Sequence, residues 1–127
     1  MNSSVSVAKI AELLDLKNFT DEIDLKKRKI TTTDINRPAL QLTGYFEHFE
    51  ESRVEIIGNV EYAYIQQMSD EEKRIRYDAF LKFDIPCVIF SRNLTPDPIF
   101  LKEALANQVP VLGTGRSTSE FTAELIY

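Results

Sequence analysis

The sequence predicts an α/β domain with three-layer-like architecture, in which helices flank a small, mostly parallel sheet. Its 127 residues suit one domain, and 43% hydrophobic with 28% charged residues is an ordinary globular composition. In the second half, short apolar runs alternate with segments that carry helix-capping residues, as expected for parallel strands joined by right-handed crossovers. Residues 87–90 are apolar without interruption, which is typical of a strand covered by helices on both faces.

The first half contains sequence signals for two helices and one strand. Ser6 is a suitable cap for a first helix, because apolar residues follow it at helical spacing. Isoleucine and three threonines favour a strand within residues 28–33. Residues 34–43 are expected to form a second helix that has Pro38 in its first turn and stops at Gly44.

Three strands are predicted in the second half, and a helix is expected after each of them. The strands are predicted at residues 54–58, 87–90 and 109–112. The helix after the first strand is expected to turn one apolar side toward the sheet. The residues on that side are Val60, Ala63, Tyr64 and Met68.

The starts of the three remaining helices are marked by capping residues. Ser69 with Glu72, and Ser117 with Glu120, form the pattern in which a hydroxyl accepts a hydrogen bond from the backbone three residues further on. Asp97 caps the helix between them, and a proline follows it at the first helical position. The last helix has little room before the final residue, so the natural chain is expected to continue.

Composition and charge exclude several classes of function. The net charge of −5 and the pI of about 4.9 argue against a nucleic-acid partner, because such proteins need cations to displace counterions from phosphate. The single cysteine, Cys87, allows no internal disulfide and is expected to be a buried, inert thiol. Neither a signal peptide nor an apolar run long enough to cross a bilayer is present, so we expect a cytoplasmic protein without a membrane partner.

The segment 113–118 lies where phosphate-binding loops occur, between a strand and a helix. A true P-loop has its first glycine five positions before the second and then a lysine, whereas Pro110 and Arg116 occupy those places here. No later strand remains to supply a magnesium-binding aspartate. We therefore expect an ordinary turn, with a weaker anion site as the alternative, and no nucleotide or metal cofactor in this chain.

Complete catalytic sites of other kinds are also not predicted. His48 is the only histidine, and one histidine beside a glutamate does not provide the three protein ligands of a zinc site. A receiver domain needs carboxylates at the ends of its strands, but residues 91–93 read Ser-Arg-Asn. We expect no catalytic residue and no metal ligand within residues 1–127.

Arg37, Arg92 and Arg116 are the candidate site residues. Arg37 adjoins a predicted helix start, and Arg92 follows an apolar strand at the edge where open α/β sheets bind ligands. These side chains are expected either to bind a small anion, such as phosphate or carboxylate, or to form surface or interdomain salt bridges.

Residues 34–46, DINRPALQLTGYF, resemble a segment of the amino-terminal domain of the HPr kinase/phosphorylase family. That family has Arg-Pro-Gly-Leu-Glu-Leu, a small residue and then Gly-Tyr-Phe. Further pieces match in the same order, and together the pieces cover nearly the whole chain. They are residues 53–58, 68–72, 86–94, 109–112 and 118–119. Ala39 and Asn93 replace glycines of the family pattern.

The resemblance implies a bifunctional parent enzyme that uses ATP and magnesium to phosphorylate a serine of the phosphocarrier HPr, and removes that phosphate by phosphorolysis. Its role is carbon catabolite control of the bacterial sugar phosphotransferase system. The chemistry of the family resides in a second domain with a true P-loop, which is absent from this chain. Residues 1–127 would therefore be the non-catalytic amino-terminal domain, and no catalytic residue is carried over.

The resemblance also implies the partners of this domain. They would be the catalytic domain, sister subunits of a homo-oligomer and, through the parent, HPr. Amino-terminal domains of this family look like the uridine-nucleotide-binding domain of muramyl ligases. That likeness keeps open an alternative function, in which the domain senses a phosphorylated sugar or a nucleotide.

Overall fold

The computed structural model describes residues 4–126, which form seven short strands and five helices. The strands are β1 (Val5–Ser6), β2 (Lys17–Asn18), β3 (Lys29–Ile30), β4 (Ile35–Asn36), β5 (Val54–Ile57), β6 (Val88–Phe90) and β7 (Val111–Gly113). The helices are α1 (Val7–Leu13), α2 (Asn59–Gln66), α3 (Asp70–Leu81), α4 (Pro98–Ala106) and α5 (Thr118–Ile126). Two 3₁₀ turns lie at Leu25–Lys27 and Gln41–Thr43. No helix within residues 4–126 has the length and apolar character needed to cross a membrane.

The central sheet has five strands in the order β2-β7-β6-β5-β4, and β1 pairs with β3 in a separate antiparallel ribbon. Strands β4 to β7 are parallel, while β2 runs antiparallel to β7. Because β5, β6 and β7 are in register, their last residues lie side by side. These residues are Ile57, Phe90 and Gly113. The predicted mostly parallel α/β sheet is confirmed.

Apolar side chains pack on both faces of this sheet, which gives a helical layer on each side. The first face is covered by α2, α3, α4 and the turn Gln41–Thr43, with Tyr77, Phe80 and Phe100 fully buried. The second face is covered by α1, α5 and the β1–β3 ribbon, which contribute Val7, Phe121 and Ile30. Alternate residues of each strand supply the two faces, as the two-residue repeat of a strand requires.

The predicted helix caps are confirmed. The hydroxyls of Ser6, Ser69 and Ser117 each accept a hydrogen bond from the backbone N–H three residues further on, at 3.0 to 3.2 Å. Asp97 Oδ1 accepts from the N–H of Phe100 at 2.8 Å, and Gly44 adopts a left-handed conformation with φ of 94° after the turn Gln41–Thr43.

The predicted helix over residues 34–43 is wrong. Ile35–Asn36 forms the edge strand β4 instead, and only Gln41–Thr43 makes a single 3₁₀ turn. Pairing of β4 with Val54 and Glu55 of β5 is a non-local contact that outweighs the local helix signal. The strand predicted within residues 28–33 shrinks to Lys29–Ile30 and lies in the small ribbon.

The predicted orientation of α2 is also wrong. Val60 and Tyr64 are 70% and 38% exposed, and Ala63 is exposed as well. The helix instead buries Glu61 and Ile65 against the sheet. Of the four residues expected on the inward side, Met68 alone is buried.

Candidate functional site

The candidate site is the edge of the central sheet at which the parallel strands end. The backbone N–H of Ser91 donates to the carbonyl of Ile57 at 3.0 Å, and that of Thr114 donates to Phe90 at 2.9 Å. The loops that leave β5, β6 and β7 are therefore held side by side. Open α/β sheets bind ligands at this edge, and all three candidate arginines lie in segments that follow its strands.

Arg37 follows β4 and is joined to a buried carboxylate of α2. Glu61 Oε1 accepts hydrogen bonds from Arg37 Nη2 at 2.7 Å and Nε at 3.1 Å, and from the backbone N–H of Gly58 at 2.7 Å. The Glu61 side chain is 4% exposed and that of Arg37 38% exposed. Glu61 thus occupies the place at the amino end of α2 that an external anion would take, and it balances the charge of Arg37.

Gly58 lies where β5 meets α2 and has no room for a side chain. A Cβ there would come within 2.7 Å of both Arg37 Nη2 and Thr118 Oγ1. Thr118, in the first turn of α5, lies 2.8 Å from the hydroxyl of the fully buried Ser91. Glycine therefore allows the loops after β4, β5 and β7 to approach one another closely.

Arg116 is held on the other side of the loop that follows β7. Its Nη1 donates to the carbonyl of Leu14 at 2.8 Å and to Thr114 Oγ1 at 3.1 Å, and its Nε lies 2.5 Å from Glu124 Oε2. These contacts tie the loop to α1 and α5. The charge of Arg116 is therefore balanced within the chain by Glu124.

Arg92 and Asn93 follow β6 and both adopt left-handed backbone conformations, with φ of 57° and 58°. Their backbone N–H groups donate to the carbonyls of Arg116 at 2.8 Å and Thr114 at 2.9 Å. Both side chains are exposed, and that of Arg92 makes no ion pair with any residue in the range 4–126. The three arginines thus differ in their contacts: Arg37 and Arg116 are paired, whereas the Arg92 side chain extends into solvent.

A cavity of about 200 Å³ lies where residues 15–19 meet the loops after β6 and β7, and we call it the β6–β7 crevice. It is lined by Asp15, Lys17, Phe19, Asn93, Leu94, Thr95, Gly113, Thr114 and Gly115. Lys17 and Asn93 are not among the site residues predicted from the sequence. The position of Asn93 just after an apolar strand could have indicated a site residue. No pattern in the sequence around Lys17 predicts that β2 pairs with β7.

Glu55 is a buried carboxyl group in the middle of β5. Its Oε1 accepts a hydrogen bond from Asn36 Nδ2 at 2.7 Å, while its Oε2 has no partner among the described residues. Burial raises the pKa of Glu55 to about 7, and the hydrogen bond from Asn36 and the charge of Arg53 offset only part of that effect. This carboxyl group is fully buried, so it does not line the open edge.

The two side chains with nucleophile or metal chemistry are separate from each other. Cys87 is buried as expected, and loss of hydration raises the pKa of its thiol to about 12. His48 lies on an exposed loop, with its side chain 89% exposed. Within residues 4–126, no three histidine, cysteine or acidic residues are grouped in a way that would hold a metal ion.

Comparison with known structures identifies the fold. The CBS and DRTGG domains of the regulatory region of Clostridium perfringens pyrophosphatase, crystallised with the activator diadenosine tetraphosphate, match with a TM-score of 0.61 at 16% identity. The match covers 95% of this chain and 45% of the other. At this identity the likeness concerns the fold alone.

Comparison of sequences gives much nearer relatives. HPr kinase/phosphorylase of Lachnoclostridium phytofermentans is 42% identical over 123 residues, and that of Caldicellulosiruptor bescii is 39% identical over 120 residues. These alignments cover 97% and 94% of this chain but only 40% and 39% of the relatives. The chain thus spans about two fifths of the length of the relatives it matches. A family model described as HPr Serine kinase N terminus matches residues 5–127, and the chain belongs to this family.

Proposed function

We propose that this chain is the non-catalytic amino-terminal domain of a bifunctional HPr serine kinase/phosphorylase, with a regulatory or architectural role. The family match over residues 5–127 carries this proposal. The contacts at the sheet edge support it, because Arg37 and Arg116 are engaged by Glu61 and Glu124 rather than arranged around an open phosphate cradle. In this proposal the catalytic P-loop domain belongs to a part of the parent outside residues 1–127.

The proposed parent acts in the cytoplasm, in carbon catabolite control of the sugar phosphotransferase system. Its catalytic domain uses ATP and magnesium, and its protein substrate is HPr. The amino-terminal domain contacts that catalytic domain and sister subunits of a homo-oligomer. The names of the relatives support the substrate and the activity.

Purified residues 1–127 are expected to show no transfer of phosphate from ATP to HPr in the presence of magnesium, because no lysine-bearing loop is available to hold the phosphates. Transfer of radiolabelled phosphate from ATP to HPr measures this directly. The full-length relative from Lachnoclostridium phytofermentans is the positive control. Phosphorylated HPr above the enzyme-free background with residues 1–127 would refute the non-catalytic assignment.

A second candidate function, sensing of a small phosphorylated ligand, is favoured by the β6–β7 crevice. A ligand that binds only the folded state raises the midpoint of thermal unfolding. We expect at least one compound from a panel of sugar phosphates and nucleotides to raise that midpoint by several degrees at millimolar concentration, as measured by scanning fluorimetry. Matched concentrations of potassium chloride are the control. If no compound of the panel shifts the midpoint, the sensing function is refuted and only the architectural role remains.

A further inference from the structure

The β6–β7 crevice lies at the point where the connections of the sheet change sides. After β6 the chain continues into α4, whose Phe100 and Ala104 pack on the first face. After β7 it continues into α5, whose Phe121 packs on the second face. Neighbouring parallel strands whose connections leave toward opposite faces create a gap between their loops, and ligands of open α/β sheets bind in such gaps.

The walls of the crevice are fixed by backbone contacts. The two loops are joined beneath it by the hydrogen bonds from Arg92 and Asn93 to the carbonyls of Arg116 and Thr114. The hydroxyl of Tyr62 donates to the carbonyl of Thr95 at 2.8 Å and holds the outer wall. A cavity with such walls is formed before any ligand arrives, which limits the entropy lost on binding.

Glycines create the space that the lining groups occupy. A Cβ at Gly113 would lie 2.7 Å from the ring of Phe19, and a Cβ at Gly115 would lie 3.1 Å from both polar atoms of the Asn93 amide. The ring therefore packs against the end of β7, and the amide lies against the following loop. The left-handed conformation of Asn93 places its side chain there, and asparagine is among the residues that tolerate it.

The crevice contains a cation that is not balanced by an ion pair. Lys17 Nζ lies 4.9 Å from the centre of the Phe19 ring, and within residues 4–126 it forms no salt bridge. The amide of Asn93 makes no side-chain hydrogen bond within that same range. Arg37 and Arg116, in contrast, are already engaged by carboxylates. Among the cations of this edge, Lys17 is thus the one that both lines a cavity and has its charge available.

We infer that the β6–β7 crevice binds a small oxyanion, a phosphate monoester or a carboxylate, through the Lys17 ammonium and the Asn93 amide. Asp15, which also lines the crevice, accepts a hydrogen bond from a hydroxyl group of the same ligand. The volume of about 200 Å³ suits one small molecule of about monosaccharide size. This inference rests on the second candidate function and locates its site away from Arg37 and Arg116.

Titration of ¹⁵N-labelled protein with inorganic phosphate, glycerol 1-phosphate and glycerate tests the site, with potassium chloride added to constant ionic strength. We expect amide signals of residues 93–95 and 113–116 to shift. A comparison of glycerol 1-phosphate with glycerate shows whether the site prefers a phosphate monoester or a carboxylate. Whichever of these two probes binds should bind more tightly than inorganic phosphate, because its hydroxyl groups give Asp15 a partner.

Lys17→Met removes the charge but keeps a flexible apolar chain against Phe19, and we expect it to weaken binding about tenfold or more. Lys102→Met, on the exposed side of α4, is the matched control and should bind like the wild type. Asn93→Gly, which suits the left-handed backbone, is a second variant that should also weaken binding.

Three results would overturn the inference. If Lys17→Met and the wild type bound the probes with equal affinity, the Lys17 ammonium would not be part of the site. Shifts centred on Gly58 and Thr118 would place the anion beside Arg37, so the location would be wrong while the sensing function remained. The absence of any shift with all three probes and with the wider ligand panel would refute the sensing function together with its site.

Discussion

Replacing Asp97 by alanine is expected to lower the free energy of unfolding by about 3 kcal/mol. Asp97 joins α3 to α4 through both carboxylate oxygens. Oδ1 caps α4 by accepting from Phe100 N, and Oδ2 accepts from the hydroxyl of the fully buried Tyr77 at 2.7 Å. Lys73 Nζ lies 3.6 Å from the same oxygen, with 13% of its side chain exposed. Alanine would leave a buried hydroxyl and a nearly buried ammonium without their shared partner.

Urea denaturation of three variants separates these contributions. Asp97→Asn retains an oxygen for the cap and an amide that can donate to the Tyr77 oxygen, but it leaves Lys73 without a carboxylate, so it should lose less stability than Asp97→Ala. Tyr77→Phe removes one hydrogen bond but keeps the contact between Asp97 and Lys73. We expect it to lower the free energy of unfolding by about 1 kcal/mol. Burial and the neighbouring Asp97 carboxylate both raise the pKa of Tyr77, so its hydroxyl stays a donor at neutral pH. A loss below 1 kcal/mol for Asp97→Ala would show that Asp97 does not join the two helices.

The strands and caps that the sequence predicted correctly depend on local signals. The capping serines act on the backbone three residues away, and the continuous apolar run around Val88 predicts a covered strand irrespective of its neighbours. Strand β4 depends instead on pairing with β5, nineteen residues further along the chain. The sequence of residues 34–43, which includes Pro38, gives no local signal for that pairing. The inward side of α2 was ambiguous because apolar residues lie around most of the helix. Its orientation follows from Arg37, which fixes the buried Glu61.

The site was predictable only where strand ends could be recognised. The apolar run of β6 predicts that Arg92 lies at the ligand-binding edge, and Arg92 follows that strand in the structure. The sequence does not predict the carboxylate partners of Arg37 and Arg116. Those partners, Glu61 and Glu124, lie on helices whose positions depend on the packed sheet. Lys17 reaches the edge because the two-residue strand β2 is antiparallel to β7, and so short a strand has no recognisable pattern. The anion role of all three arginines remains a prediction.

The stability of the domain is expected to fall as the pH rises from about 5 to 8, because of Glu55. The pKa of Glu55 is raised from its ordinary value of 4.5 to about 7 in the folded state, so the folded protein binds this proton more tightly than the unfolded chain. Such a group stabilises the fold fully below the unfolded pKa, and the contribution disappears as the pH rises through the folded pKa. The difference between these two pKa values corresponds to about 3 kcal/mol of the free energy of unfolding.

Glu55→Gln removes the titration and keeps the shape of the side chain and an oxygen to accept from Asn36. At pH 8 the variant is expected to be more stable than the wild type by about 2 kcal/mol, and at pH 5 the two should be nearly equal. Urea unfolding at pH 5, 6.5 and 8 measures the difference, with Glu22→Gln on an exposed loop as the matched control. Cys87 does not ionise in this range, because its pKa is about 12. Parallel stability profiles for wild type and Glu55→Gln would therefore show that Glu55 is already ionised in the fold, which would require a partner for its second oxygen.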